Sequence, residues 1–292
     1  ISCFYIYEKF FIKLLIYINQ ETMKIFWINL DKLSYETFFN EITDLSSQKI
    51  IFTPNPEILL NTKKDDEFNK LLNKAHYLTP DGIGLYIAFQ IIEANEATWK
   101  SYIKLPYYFY NLFCKREKLY AKYGDRICGS DLTKDLIHFA SSNQVTVAIV
   151  DLYNPTDANK VASQSAFSDK LQKKFPKLQF DYYIYNPDKK TEIIETITNS
   201  DAKILFSTLG MKKQEGSVVE IMEYAKNIKI GLGIWSSFDY FIGFQKRAPK
   251  IFRNFWLEWF YRIFTGPQKI KRLKRIYNAI FVFLFNVLHD KK

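Results

Sequence analysis

The chain has 292 residues, 48% of them hydrophobic and 25% charged, which supports a sizeable core and excludes a disordered or low-complexity polypeptide. Its 41 Lys and Arg against 31 Asp and Glu give a formal charge of +10, so a polyanionic partner is expected: nucleic acid, anionic lipid or a phosphorylated substrate. Three cysteines and three histidines, scattered and without a CxxC pair, make neither a disulfide framework nor a zinc centre, and point to a reducing cytoplasmic compartment.

Residues 1–22 are apolar and aromatic but interrupted by Glu8, Lys9 and Lys13. They lack the roughly 20 predominantly apolar residues of a spanning helix and the small-residue cleavage site of a signal peptide. Met23 opens a strand-like stretch and is a candidate start, so 1–22 are set aside as an extension. From there the pattern predicts a strand at 25–29, a helix capped by Ser34 to about 45, a strand at 50–53 and a helix at 66–74. A short apolar piece at 75–78 leads to a helix at about 84–93. Further on come a helix capped by Ser130 to 140, a buried strand at 145–150 and a helix near 158–174. A strand near 179–184, a helix at 189–198, and strands at 204–208 and 228–232 with a helix between them complete the series. Such βα alternation predicts a parallel, doubly wound sheet with helices on both faces over 23–245.

Two segments break the rhythm. Residues 89–123 carry Tyr102, Tyr107, Tyr108, Phe109, Tyr110, Phe113, Tyr120 and Tyr123 among basic residues. An oligomer contact, a lid, a membrane-facing patch and an insertion packed on its own domain all stay open. The second is the helical, basic and aromatic appendage at 246–292. Over 249–264, Lys250, Asn254, Glu258 and Arg262 form one narrow polar stripe on an otherwise apolar helix. Beyond Gly266-Pro267, a cluster of Lys269, Lys271, Arg272, Lys274 and Arg275 precedes an apolar run at 276–288, too short to span a bilayer. An anionic leaflet suits this combination, and a helical pair capping the domain suits it equally.

Chemistry concentrates where strands end. Thr53-Pro54-Asn55-Pro56-Glu57 closes one predicted strand and Pro80-Asp81-Gly82-Ile83-Gly84 another, at the sheet edge where open α/β folds bind ligands. Leu209-Gly210-Met211-Lys212-Lys213-Gln214-Glu215 and Arg126-Ile127-Cys128-Gly129-Ser130-Asp131 each precede a predicted helix, whose N-terminus favours an anion. Together the four loops suggest a phosphate-bearing ligand, although turn formation and helix capping explain each one taken alone. The chain has no Asp-x-Asp, no GxxxxGK[ST], no GxGxxG and no Gly-x-Ser-x-Gly.

These strings, with Phe238-Asp239, Lys246-Arg-Ala-Pro249 and Leu257-Glu-Trp-Phe-Tyr-Arg262, occur in the order found in the WecG/TagA/CpsF glycosyltransferases (glycosyltransferase family 26), which the chain resembles from about Met23 to its C-terminus. The resemblance implies a Rossmann-like enzyme that works without a metal ion. It implies transfer of N-acetylmannosamine or a related sugar from a UDP donor, with inversion, to a polyprenyl-diphosphate-linked sugar at the inner membrane face. It casts Asp81 as general base, with Thr53 beside it as a catalytic-site residue. Asn55, Arg126, Gly210 and Gln214 would line the substrate pocket, and Arg262, Lys269 and Arg272 of the appendage would close over it. No cofactor beyond the sugar donor is implied. The chain departs from the family pattern at Asp151, where a glycine is usual, at Trp235-Ser236, where two glycines are usual, and at Lys212, where a proline is usual. The 89–123 insertion is also longer than in most relatives. A relative that binds lipid-linked sugar or anionic membrane without turnover is the alternative. Nucleic-acid binding has no recognition motif to support it.

Overall fold

A computed structural model describes residues 22–152, 158–235, 237–238, 248–249, 261 and 269–290, with the backbone alone at 152, 158–165 and 269–272. The described residues open with β1 (Thr22–Ile25) and β2 (Ile28–Asp31), then α1 (Tyr35–Ile42), β3 (Lys49–Phe52), α2 (Pro56–Thr62) and α3 (Asp66–Leu72). There follow β4 (Tyr77–Leu78), α4 (Ile83–Ala94), α5 (Thr98–Cys114), α6 (Arg116–Tyr123), α7 (Gly129–Asn143) and β5 (Val147–Leu152). Next are α8 (Ala158–Lys174), β6 (Phe180–Tyr185), α9 (Lys190–Thr198), β7 (Ile204–Ser207), α10 (Lys213–Tyr224) and β8 (Ile230–Gly233). Last come α11 (Lys269–Tyr277), a π-helical turn (Asn278–Val282) and α12 (Phe283–His289).

β3 to β8 form a six-stranded parallel sheet in the order β4-β3-β8-β7-β5-β6. Because side chains alternate along a strand, the sheet feeds two cores. Ile50, Phe52, Ala148, Val150 and Leu205 enter one, and Ile51, Val147, Ile149, Phe206 and Leu232 the other. Burial on both faces explains why these strands read as continuous apolar runs. The Rossmann-like expectation holds.

Two local expectations change. The strand expected at 25–29 is a hairpin, with Ile25 paired antiparallel to Ile28 across a two-residue turn at Phe26 and Trp27. Phe26 takes φ 54°, a conformation usually left to Asn or Gly in such turns, and its ring meets Phe283 edge-on at 6.0 Å. Helix α7 starts before Ser130, because the Cys128 carbonyl already accepts from the N–H groups of Asp131 and Leu132, each at 3.0 Å. The apolar run at 276–288 is half core: Phe283, Leu284, Val287 and Leu288 are buried, with α12 packed on α4. The polar stripe expected at Lys250, Asn254, Glu258 and Arg262 lies outside the described residues.

Asp31, at the end of β2, takes the Leu78 N–H on Oδ2 at 2.6 Å. Burial pushes its carboxyl up from 3.8 to about 6, the Leu78 hydrogen bond opposes this, and Glu41 adds to it. A raised folded-state value means that folding favours the protonated acid. Its contribution to stability is therefore full below pH 3.8 and is lost as pH rises through about 6. Asp31→Asn keeps an acceptor for Leu78 without this dependence. Urea unfolding should show the variant gaining on the parent, by on the order of 3 kcal/mol, between acidic and neutral pH.

Candidate active site

The loops that leave β3 and β4 are tied to each other beyond the strands. The Thr79 N–H donates to the Phe52 carbonyl at 3.0 Å, and the Asp81 N–H to the Pro54 carbonyl at 3.1 Å. Asn55 caps α2, its Oδ1 accepting from the Ile58 N–H at 3.0 Å, and Pro56 follows in the first turn, where a missing N–H costs nothing. Asn55 thus has a structural duty that fixes its side chain. Thr53 faces the start of α7: a Cβ at Gly129 would lie 2.8 Å from Thr53 Oγ1, so only glycine lets the two loops meet.

Arg126 and Asp81 act on one half-buried thiol. Burial raises the Cys128 pKa, Asp81 raises it further and Arg126 opposes it. The same two charges reach the Tyr86 hydroxyl, which donates to the Gly124 carbonyl at 3.0 Å and is held well above its usual value, chiefly by burial. Asp81, Thr53, Asn55 and Arg126 therefore gather around the junction of β3, β4 and α7.

The β7–α10 loop brings Gly210 and Gln214. The Gln214 N–H donates to the Gly210 carbonyl at 2.8 Å. Its amide is fixed at both ends, Nε2 donating to Glu215 Oε1 at 2.8 Å and Oε1 accepting from the Trp235 N–H at 2.9 Å. Glu215 is buried, which raises its pKa, and its second oxygen has no hydrogen-bond partner. Asp151, near the end of β5, accepts from the Thr208 hydroxyl just beyond β7 and from the Tyr182 hydroxyl of β6, both at 2.5 Å, and so ties β5 to both of its neighbours.

Arg262 lies outside the described residues, as do the side chains of Lys269 and Arg272, whose backbone belongs to α11. The appendage residue seen at the site is Arg275. Its guanidinium lies 5.3 Å from the centre of the Trp235 ring, and Nε is 3.6 Å from Glu57 Oε1. Burial raises the Glu57 pKa and Arg275 lowers it. Sequence reasoning did not single out Arg275 within its basic cluster, nor Cys128 and Glu215 within their motifs. The only hint was their position in strings already marked. Among the described residues, no group of three or more His, Cys, Asp or Glu comes together to hold a metal ion, and no helix is long and apolar enough to cross a membrane.

The profile of the glycosyl transferase WecG/TagA/CpsF family matches residues 23–120 and 111–292. The chain belongs to this family. It is a glycosyltransferase by descent, and the two matched stretches meet inside the aromatic segment that the sequence sets apart. Similar proteins include the N-acetylglucosaminyldiphosphoundecaprenol N-acetyl-beta-D-mannosaminyltransferase of Bacillus spizizenii, 26% identical over 81% of this chain and 79% of its own length. The Staphylococcus aureus enzyme of that name is 26% identical over 88% of this chain and 85% of its own. That of Bacillus subtilis is 27% identical over 78% and 75%.

The contact between Thr53 and Gly129 is testable. Gly129→Ala should push Thr53 aside and lower the unfolding free energy by about 1–3 kcal/mol, the usual cost of overpacking. Thr53→Ala in the same chain should restore much of that loss in thermal unfolding, a coupling that independent sites do not show.

Proposed function

We propose that this glycosyltransferase is inverting and metal-independent. It moves an N-acetylhexosamine, N-acetylmannosamine foremost, from a UDP-sugar to a polyprenyl-diphosphate-linked sugar in cell-surface polysaccharide or teichoic acid synthesis. The observation that carries the reading is the Asp81 loop, hydrogen-bonded to the Thr53–Glu57 string at a parallel-sheet edge in a chain of this family. The names of the relatives support a sugar-diphospho-undecaprenol acceptor and an N-acetylmannosaminyl group. Asp81 takes the proton of the acceptor hydroxyl as that oxygen attacks the anomeric carbon. The bond to UDP breaks on the opposite face, and its electron pair leaves with the diphosphate.

Thr53, Asn55, Gly210 and Gln214 line the substrate pocket. Charge gathering on the departing UDP is met by Arg126 and by Arg262, Lys269 and Arg272 of the appendage. Lys269 supplies charge without the bidentate fork of an arginine. The enzyme works as a peripheral protein on the inner face of the cell membrane, where its lipid-linked acceptor resides. The alternative, binding of lipid-linked sugar without turnover, draws on Trp235 and Asp151, which stand where the family usually carries glycine.

An assay with UDP-N-acetylmannosamine and a short-chain lipid-diphosphate-N-acetylglucosamine acceptor, scored by product mass, tests the reading. The parent should release UDP, and Asp81→Ala should lower kcat by about 10²–10⁴, the range of general-base contributions. Equal release by Asp81→Ala would remove Asp81 from the mechanism, and product absent with every UDP-N-acetylhexosamine would favour the binding alternative. Excess EDTA should leave the rate unchanged.

A further inference from the structure

Helix α5 is apolar on two opposite sides. Leu105, Tyr108, Phe109 and Leu112 pack into the core beside α4. The other side shows solvent Trp99, Tyr102, Ile103, Tyr107, Tyr110 and Phe113, with exposures between 41% at Tyr102 and 69% at Ile103. A contiguous apolar surface of this kind on a folded protein marks an interaction site.

A second row joins it. Leu273, Tyr277, Phe281 and Phe285 are exposed at intervals of four along α11, the π-helical turn and α12, and His289 continues the series. In an α-helix a four-residue spacing drifts by roughly 40° per step. The wider π-helical turn at Asn278–Val282 winds the row back, so it stays on one side. Ring contacts run along it, Tyr277 to Phe281 at 5.4 Å and Phe285 to His289 at 4.1 Å. His289 then meets Tyr102 of α5 at 6.2 Å, and the Thr98 hydroxyl donates to the Leu288 carbonyl at 3.2 Å. The two helices thus present one continuous aromatic plate.

Charge identifies what covers the plate. Neither Thr98–Cys114 nor residues 269–289 contain an Asp or Glu. Lys100 lies 5.6 Å from the Trp99 ring centre, and Lys115 lies 5.8 and 5.4 Å from those of Tyr107 and Tyr110. Aromatic rings interleaved with lysines and free of acids fit the headgroup level of an anionic bilayer. A second copy of the chain packed face to face would set these same lysines against each other.

We propose that α5, within the aromatic segment that the sequence sets apart, is a membrane-docking element that forms one bilayer-facing plate with the C-terminal helix. This rests on the peripheral-membrane reading given above and adds to it a surface outside the appendage. Co-sedimentation with phosphatidylcholine vesicles, with and without phosphatidylglycerol, tests it on the full chain. The parent should bind the anionic vesicles, and Trp99→Ser/Ile103→Ser/Tyr107→Ser should bind them at least tenfold more weakly. Leu273→Ser/Phe281→Ser should weaken binding as well.

If the α5 variant binds like the parent while the C-terminal variant does not, α5 is no docking element and the membrane reading stands. If the parent binds no vesicle, both fall. Sedimentation velocity without lipid decides against the proposal if the parent is a dimer that the α5 variant dissociates. Should the triple variant not fold, Trp99→Phe serves instead: brominated lipid should quench the parent's fluorescence, and the variant should lose a share of that quenching. An undiminished quenched share overturns the proposal.

Discussion

The hydrogen bond from the Asp81 N–H to the Pro54 carbonyl is the constraint on which the site depends. It extends the β3–β4 pairing past the last residues of both strands, into loops that would otherwise be free to diverge. Each partner is stiffened on its own side. Pro54 and Pro56 fix φ around Asn55, whose side chain is spent on capping α2. Asp81 leads directly into α4. In the proposed reaction, this holds the backbone that carries the candidate base in place before substrate arrives.

The two helices that begin at these loops also hold the C-terminal appendage. α2 and α4 approach so closely at their starts that a Cβ at Gly84 would lie 2.9 Å from Pro56 Cγ and 3.1 Å from the Ala279 carbonyl oxygen. Phe283 fills the space between the π-helical turn and the core, and Lys63 of the α2 C-cap pairs with Asp290 and donates to Asn286 Oδ1 at 2.7 Å. The basic helix is therefore registered against the elements that carry Asn55 and Asp81. Its cations and the candidate base share one frame, and the aromatic plate on its outer side shares it too.

Much of this was legible in the sequence for a physical reason. A parallel sheet buried on both faces writes continuous apolar runs, and proline and glycine mark the loops where backbone geometry is forced. The hairpin at Phe26 and Trp27 was not legible because its turn has none of the usual residues, and the Phe26 ring is held by packing against Phe283, distant in sequence. Ser130 read as a cap from its type alone, but α7 already begins at Gly129, where the Cys128 carbonyl accepts the first helical hydrogen bonds. Within the basic cluster, only tertiary packing distinguishes Arg275, since the sequence offers five cations of similar appearance. The outer face of α5 was visible as composition, but its union with the C-terminal row depends on a π-helical turn that no residue type announces.

Two departures from the family pattern, Lys212 and Trp235, flank Gln214, and both carry strain. Lys212 adopts φ 69°, which a proline, fixed near −65°, cannot adopt, so this loop follows a different path from one built on the family's usual residue. Its ammonium is held by Asp65 at 2.6 Å and Glu67 at 3.3 Å, partners that a proline would not engage. Trp235 adopts φ 44° where glycine would bear no penalty, and Arg275 stacks on its ring. Non-glycine residues in such conformations cost on the order of 1–3 kcal/mol and persist only when their surroundings over-determine them. Gln214 lies between the two, its amide locked by Glu215 and by the Trp235 N–H. The Asp81 side of the site keeps the family pattern, whereas the Gln214 side has been rebuilt at a cost in strain.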